Sequence, residues 1–74
     1  MTTFSRISVD PDVCHGEACI RGTRIPVHVI LEHLAAGETM EQVIANFPPL
    51  TRRDVHAALH YAAYLASDRV LEVP

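Results

Sequence analysis

The chain has no lysine, only three glycines, two cysteines and 5% aromatic residues among its 74. Each shortage closes a route. Without lysine, all six basic side chains are arginines, and a phosphate-cradling Gly-rich loop ending in Lys-Ser/Thr is ruled out at Gly16 and Gly22. Cys14 and Cys19, with His15 and possible help from His28, offer a metal set, but four residues separate the cysteines and there is no second pair to complete a structural zinc site. Two partly buried thiols are the plainer reading. No uninterrupted apolar run reaches the ~20 residues of a membrane span. The start also lacks the charged segment and apolar run of a secretory leader, so the expected location is cytoplasmic, where a disulfide does not fit the reducing conditions.

What is present is apolar surface. Hydrophobic residues make up 49% of the chain, while a domain near this size buries only about 60% of its unfolded surface. A homodimer is the natural way to hide the excess. The net charge is −3. Residues 1–26 carry three arginines against three acids, residues 27–50 three glutamates and no base, and residues 51–74 three of each. A dedicated nucleic-acid binder usually shows a basic face, and this chain has none, so any DNA binding is expected to be weak as a monomer or to come from a dimer or complex that adds charge.

Two kinds of periodicity divide the chain. Ile7 and Val9 alternate as a strand does, and Asp10-Pro11-Asp12 ends the run in a turn. Val13 to Glu17 reads as loop. Ala18-Cys19-Ile20 and Thr23-Arg24-Ile25 can pair around Arg21-Gly22, leaving open strand edges available across a dimer. Pro26 suits the first position of a helix whose buried face is Val27, Ile30, Leu31 and Leu34 and whose stop is Gly37. Thr39 and Gln42 form a capping box for a second helix with Met40, Val43, Ile44 and Phe47 inward, ended by Pro48-Pro49. Thr51 and Asp54 repeat the box, Leu50 and Val55 are spaced as a hydrophobic staple, and Val55, Ala58, Leu59, Ala62 and Leu65 form the buried face of a third helix. The fold class is therefore mainly α: a three-helix, homeodomain-like helix-turn-helix core with a short N-terminal β-arm. The divisions are the arm at 1–26, the trihelical core at 27–66, forming one domain with the arm, and a tail at 67–74 that can order on a partner.

Arg52 and Arg53 occupy the first turn of the third helix, where positive charge opposes the macrodipole at about 0.3–1 kcal/mol per charge. Such a cost is accepted when the cations meet phosphate or an acidic partner. His56, His60 and Tyr64 recur on the same face and can reach backbone or groove atoms of DNA. The plainer reading is an ordinary solvated face. On the arm, Arg21, Thr23 and Arg24 are candidates for a partner or dimer contact, with Arg24 either tying the arm to the helices or gripping a partner's carboxylate through a bidentate pair. Asp10, Asp12 and Glu17 are turn formers and solvated acids. No nucleophile-base-orienter set stands out and the volume is too small for a deep pocket, so neither an enzyme, a cofactor nor a small-molecule substrate is expected.

The segments Asp10-Pro11-x-x-Cys14-x-Gly16, Ile20-Arg21-Gly22-Thr23-Arg24-Ile25-Pro26-Val27, Leu34-Ala35-Ala36-Gly37-Glu38-Thr39, Phe47-Pro48-x-Leu50-Thr51 and Ala57-Ala58-Leu59-x-Tyr61-Ala62 resemble the DUF433 family from about residue 5 to about residue 65. Departures are small: Ala18 stands where the family often has proline, and Pro49 is an extra proline in the turn. The resemblance implies the homeodomain-like core with its β-arm. It also implies an antitoxin of a toxin-antitoxin pair, neutralising a PIN-like ribonuclease toxin and repressing its own operon by binding operator DNA. In that reading the arm or tail enters the nuclease's acidic site, and Arg52, Arg53, His56 and His60 contact the operator. The alternative is a protein-interaction module that uses a helix-turn-helix shape without touching DNA.

Overall fold

The computed structural model describes residues 4–67 as a small two-stranded sheet packed on three helices. In chain order these are β1 (Ile7–Val9), a single 3-10 turn (Cys14–Gly16), β2 (Ala18–Ile20), α1 (Val27–Ala35), α2 (Met40–Asn46) and α3 (Arg52–Ser67). The fold is mainly α with an N-terminal β-hairpin, as the periodicities predict. Residues 68–74, and with them most of the expected tail, lie outside the described residues.

β1 and β2 pair antiparallel, with Ile7 opposite Ile20, Ser8 opposite Cys19 and Val9 opposite Ala18. Alternation puts Ile7 and Ile20 on the face that enters the core. This corrects the expected pairing of residues 18–20 with 23–25. The connector instead returns to the far edge of β2 through one bridge, Cys19 to Pro26, and one bond from the Ile20 N–H to the Ile25 carbonyl at 3.0 Å. Thr23 is the reason. Its hydroxyl donates to the Ile20 carbonyl at 2.7 Å and accepts from the Ile25 N–H at 3.1 Å. Its own N–H bonds the same Ile20 carbonyl at 3.0 Å. The groups a strand would send across a ladder are consumed in a tight turn, which Gly22 enters at φ +83°.

The loop between the strands is held by its own bonds. The Asp10 carboxylate accepts from the Asp12 N–H at 2.9 Å, and the Val13 N–H bonds the Asp10 carbonyl at 3.0 Å. Cys14, His15 and Gly16 then follow one another in the left-handed region, at φ 53°, 55° and 82°. Only the glycine takes that conformation without steric cost.

Pro26 is the N-cap of α1 rather than its first helical residue, with φ −66° and ψ 143°. The extended ψ lets it bridge to Cys19 while its carbonyl accepts the Val29 N–H at 3.2 Å. At the other end, Gly37 at φ +98° donates to the Leu34 carbonyl, and the Glu38 N–H reaches the His33 carbonyl. That is a Schellman stop, closing the last orphan carbonyls. Thr39 and Gln42 form the expected capping box, at 3.1 Å and 2.7 Å. Leu50 and Val55, the staple pair, are both buried. The core collects Ile7, Ile20, Val27, Ile30, Val43, Leu50, Val55 and Ala58 from both strands, all three α-helices and the turn before α3.

One helix face differs from expectation. On α3 the inward line runs through Asp54, Val55 and Ala58, while Leu59 and Leu65 are 42% and 47% exposed. Leu59 turns away from Val55 toward the Arg52 side, given ~100° per residue. Leu65 points back toward α1 but lies on the wall of a groove, with Val27, Leu31, Tyr61 and Ala62, that is open among the described residues. Among the described residues, no helix is long and apolar enough to cross a membrane.

Candidate functional site

The arm is fixed to α3 by two neighbouring contacts. Arg6 donates to the Asp54 carboxylate at 3.0 Å across 48 residues of sequence. The second oxygen of Asp54 accepts the Thr51 N–H at 2.9 Å and the Thr51 hydroxyl at 3.1 Å. One buried carboxylate thus caps the helix and receives the arm. Phe4 adds an aromatic seat. Its ring meets His60 at 5.4 Å and Tyr61 at 5.2 Å edge-on, and Tyr64 at 5.1 Å tilted. His60, Tyr64 and Asp54 stand out in the sequence, but nothing there marks Phe4 or Arg6 as their partners. A local pattern carries no trace of a contact between residues so far apart.

The five candidate DNA-contacting residues do share a face. Arg52, Arg53, His56, His60 and Tyr64 fall within roughly 120° around the helix axis, and all are exposed. Their chemistry is unequal. Arg52 donates to Glu41 of α2 at 2.7 Å, and that hydrogen bond holds the Glu41 carboxyl below its ordinary range. His60 and Tyr64 are the seat for Phe4. Arg53 and His56 make no side-chain hydrogen bond among the described residues. The face therefore divides into a leading patch with one uncommitted arginine and a trailing aromatic patch joined to the arm.

The three arm candidates divide similarly. Arg21 donates to the Ser5 carbonyl at 2.6 Å and the Ile7 carbonyl at 2.9 Å, so it clamps β1 from the side. Thr23 closes the turn. Arg24 makes no hydrogen bond or ion pair among the described residues. The tie between arm and helices is made by Arg6, not by Arg24. Arg24 stands between two depressions, one of about 590 Å³ with Ser8, Thr23, Ile25 and Pro49 on its walls, the other of about 330 Å³ that includes Asp12, Cys14 and Glu17.

The remaining titratable groups do structural work. His28 lies 2.7 Å from Glu32 and 3.4 Å from Glu17, linking α1 to the hairpin. The Glu32 hydrogen bond raises its pKa above the ordinary value, with the Glu17 charge adding to it. His33 meets Glu38 at 2.6 Å, and Asn46 donates to the same carboxylate at 2.9 Å, tying the α1 stop to α2. Burial pushes the Cys19 thiol up, the neighbouring Cys14 adds to the shift, and both thiols are free. Among the described residues no three His, Cys, Asp or Glu side chains come together to hold a metal ion.

The arrangement is that of a small trihelical domain with an N-terminal arm fixed across its third helix. The family model "Protein of unknown function (DUF433)" matches residues 7–62, and the chain belongs to that family. It is 32% identical over 56 residues to "Uncharacterized protein y4eO" of Sinorhizobium fredii, covering 76% of this chain and 25% of y4eO. It is also similar to the crystal structure of a DUF433 member protein from Anabaena variabilis, with a TM-score of 0.78 and 38% identity over 85% of this chain and 62% of that one. The chain thus spans a quarter of y4eO and less than two thirds of the Anabaena protein.

Proposed function

We propose that this chain is a non-catalytic binding protein of the antitoxin type, which neutralises a PIN-like ribonuclease in the cytoplasm through protein contacts centred on its arm. The observation that supports this reading is the fate of the arginines. Arg6, Arg21 and Arg52 are committed inside the chain to Asp54, to two carbonyls and to Glu41. Arg24 on the arm makes no hydrogen bond or ion pair among the described residues, and it lines a depression whose walls are mainly apolar. A guanidinium held on a turn fixed by its own hydrogen bonds loses little freedom when it grips a carboxylate.

A second surface is operator DNA. Arg53 and His56 are the uncommitted pair on the leading turns of α3, and a homodimer would present two such patches at once. The net charge of −3 and the Glu41 partner of Arg52 weigh toward the protein-only version. Growth rescue tests the main reading. Expression beside a PIN-like nuclease encoded next to it is expected to relieve that nuclease's growth arrest, and persistent arrest at equal protein levels rejects it. For DNA, replacing Arg52 and Arg53 with alanine is expected to flatten the salt dependence of operator binding. An unchanged slope removes α3 from the contact.

A further inference from the structure

We propose that the larger depression beside Arg24 is a docking site for an acidic, extended segment of a partner protein, with the Arg24 guanidinium taking a side-chain carboxylate. This deepens the reading of the chain as a partner-binding protein and rests on it.

The two sides of Arg24 differ in charge. The smaller depression carries Asp12 and Glu17, so an incoming anion meets like charge there. The larger one, about 590 Å³, has no acidic residue on its walls among the described residues. A carboxylate approaching from that side is attracted by Arg24 and repelled by nothing in the lining. The rest of the wall decides what surrounds the carboxylate. Val13, Ile25 and Pro49 offer apolar contact, and Ser8 adds a hydroxyl that makes no hydrogen bond among the described residues. An alternation of acidic and aliphatic side chains, as an extended strand presents them, matches that mixture.

The mouth is open because the turn is bare. Gly22 has no atom within 4 Å of where a side chain would begin, so a segment can pass over the turn without displacing anything. The floor is rigid for the opposite reason. The Thr23 hydroxyl is bonded on both sides, and Arg21 is clamped to β1. Nucleic acid fits this surface less well. Phosphate contacts come in rows, and Arg24 is the single cation facing a largely apolar hollow.

The test uses the whole chain, isotopically labelled, titrated with the peptide acetyl-Leu-Glu-Val-Glu-Leu-amide and its Gln-for-Glu counterpart while amide NMR signals are followed. Saturable shifts are expected at Ser8, Gly22, Thr23, Arg24 and Ile25 with the acidic peptide only. Arg24→Gln is expected to weaken binding about tenfold or more, and Arg24→Lys less, because the charge remains but the fork is lost. Arg24 makes no hydrogen bond or ion pair among the described residues, so an unchanged melting temperature shows that Arg24→Gln has left the fold intact, and Arg53→Gln is expected to bind as the unaltered chain does. The proposal is overturned if the Gln peptide binds equally, if Arg24→Gln binds as before, if the shifts fall on Arg53 and His56, or if none saturate. It is also overturned if a DNA duplex perturbs the Arg24 hollow while the peptide does not, or if dilution without peptide moves the same signals, which would make a second copy the occupant. A hollow that binds the peptide in a chain that fails to silence the nuclease leaves this site standing and removes the antitoxin reading; the converse pair of results does the opposite.

Discussion

Replacing Asp54 with alanine is the most demanding test of how the arm and the helices form one body. The substitution removes two functions of one buried side chain. The first is the helix cap, where Asp54 accepts from both the N–H and the hydroxyl of Thr51 at 2.9 and 3.1 Å. Losing the Asp54 half of the Thr51 capping box costs about 1 kcal/mol, and a partly buried donor left without its acceptor adds about 1 kcal/mol or more. The second is the ion pair with Arg6, whose side chain is 43% exposed. Solvent screening limits that term to less than about 1 kcal/mol. Together they predict a loss of about 2–3 kcal/mol. In a domain of this size each kcal/mol moves the midpoint by about 4–8 °C, so the melting temperature is expected to fall by about 10–20 °C. Circular dichroism melts and urea titrations of Asp54→Ala, Arg6→Ala and the double variant provide the measurement. Arg6→Ala alone is expected to cost about 1 kcal/mol or less, and the double variant to cost less than the sum, by about 0.5–1 kcal/mol of coupling. A loss below about 0.5 kcal/mol for Asp54→Ala, or strict additivity, would refute the idea that one carboxylate serves both cap and arm.

Three further outcomes are expected. His28 titrates above 6.5 because Glu32 and Glu17 favour its charged form. Its contribution to stability is therefore complete below the unfolded value and lost as pH rises through the folded one; a midpoint at or below 6.5 in its ring-proton NMR signal, or no downward shift in Glu32→Gln, contradicts this. Leu59→Ser and Leu65→Ser are expected to change stability by no more than about 0.5 kcal/mol, whereas Ile30→Ala, at 0% exposure, is expected to cost about 2–5 kcal/mol in the same urea titrations. Cys14 is expected to react with iodoacetamide well before Cys19, which is buried and whose thiol is pushed up; equal labelling rates by mass spectrometry would contradict that placement.

The helical half was legible in the sequence wherever the determinants are local. Thr39 with Gln42, Thr51 with Asp54, Leu50 with Val55, and Gly37 after the last turn each act within a few residues, and each stands where its spacing places it. The hairpin was not legible, because three short segments of similar length, 7–9, 18–20 and 23–25, compete for one ladder. The winner was decided by the Thr23 hydroxyl, whose bonds spend the backbone of the third. Leu59 and Leu65 fit the periodicity of a buried face, but periodicity says nothing about where the neighbouring elements stop. The Arg6–Asp54 tie and the Phe4 seat join segments about fifty residues apart, beyond any local pattern. On the candidate site, sequence reasoning placed Arg52, Arg53, His56, His60 and Tyr64 on one face, and could not foresee that Glu41 and Phe4 occupy part of it.

The central claim is that this body acts by seizing another protein. Mixing the purified chain with a purified PIN-like nuclease of the kind proposed as its partner, then recording native mass and RNA cleavage on the same sample, tests it most directly. The account predicts a stoichiometric heteromeric species with RNA cleavage suppressed. Two separate masses with undiminished cleavage would contradict it.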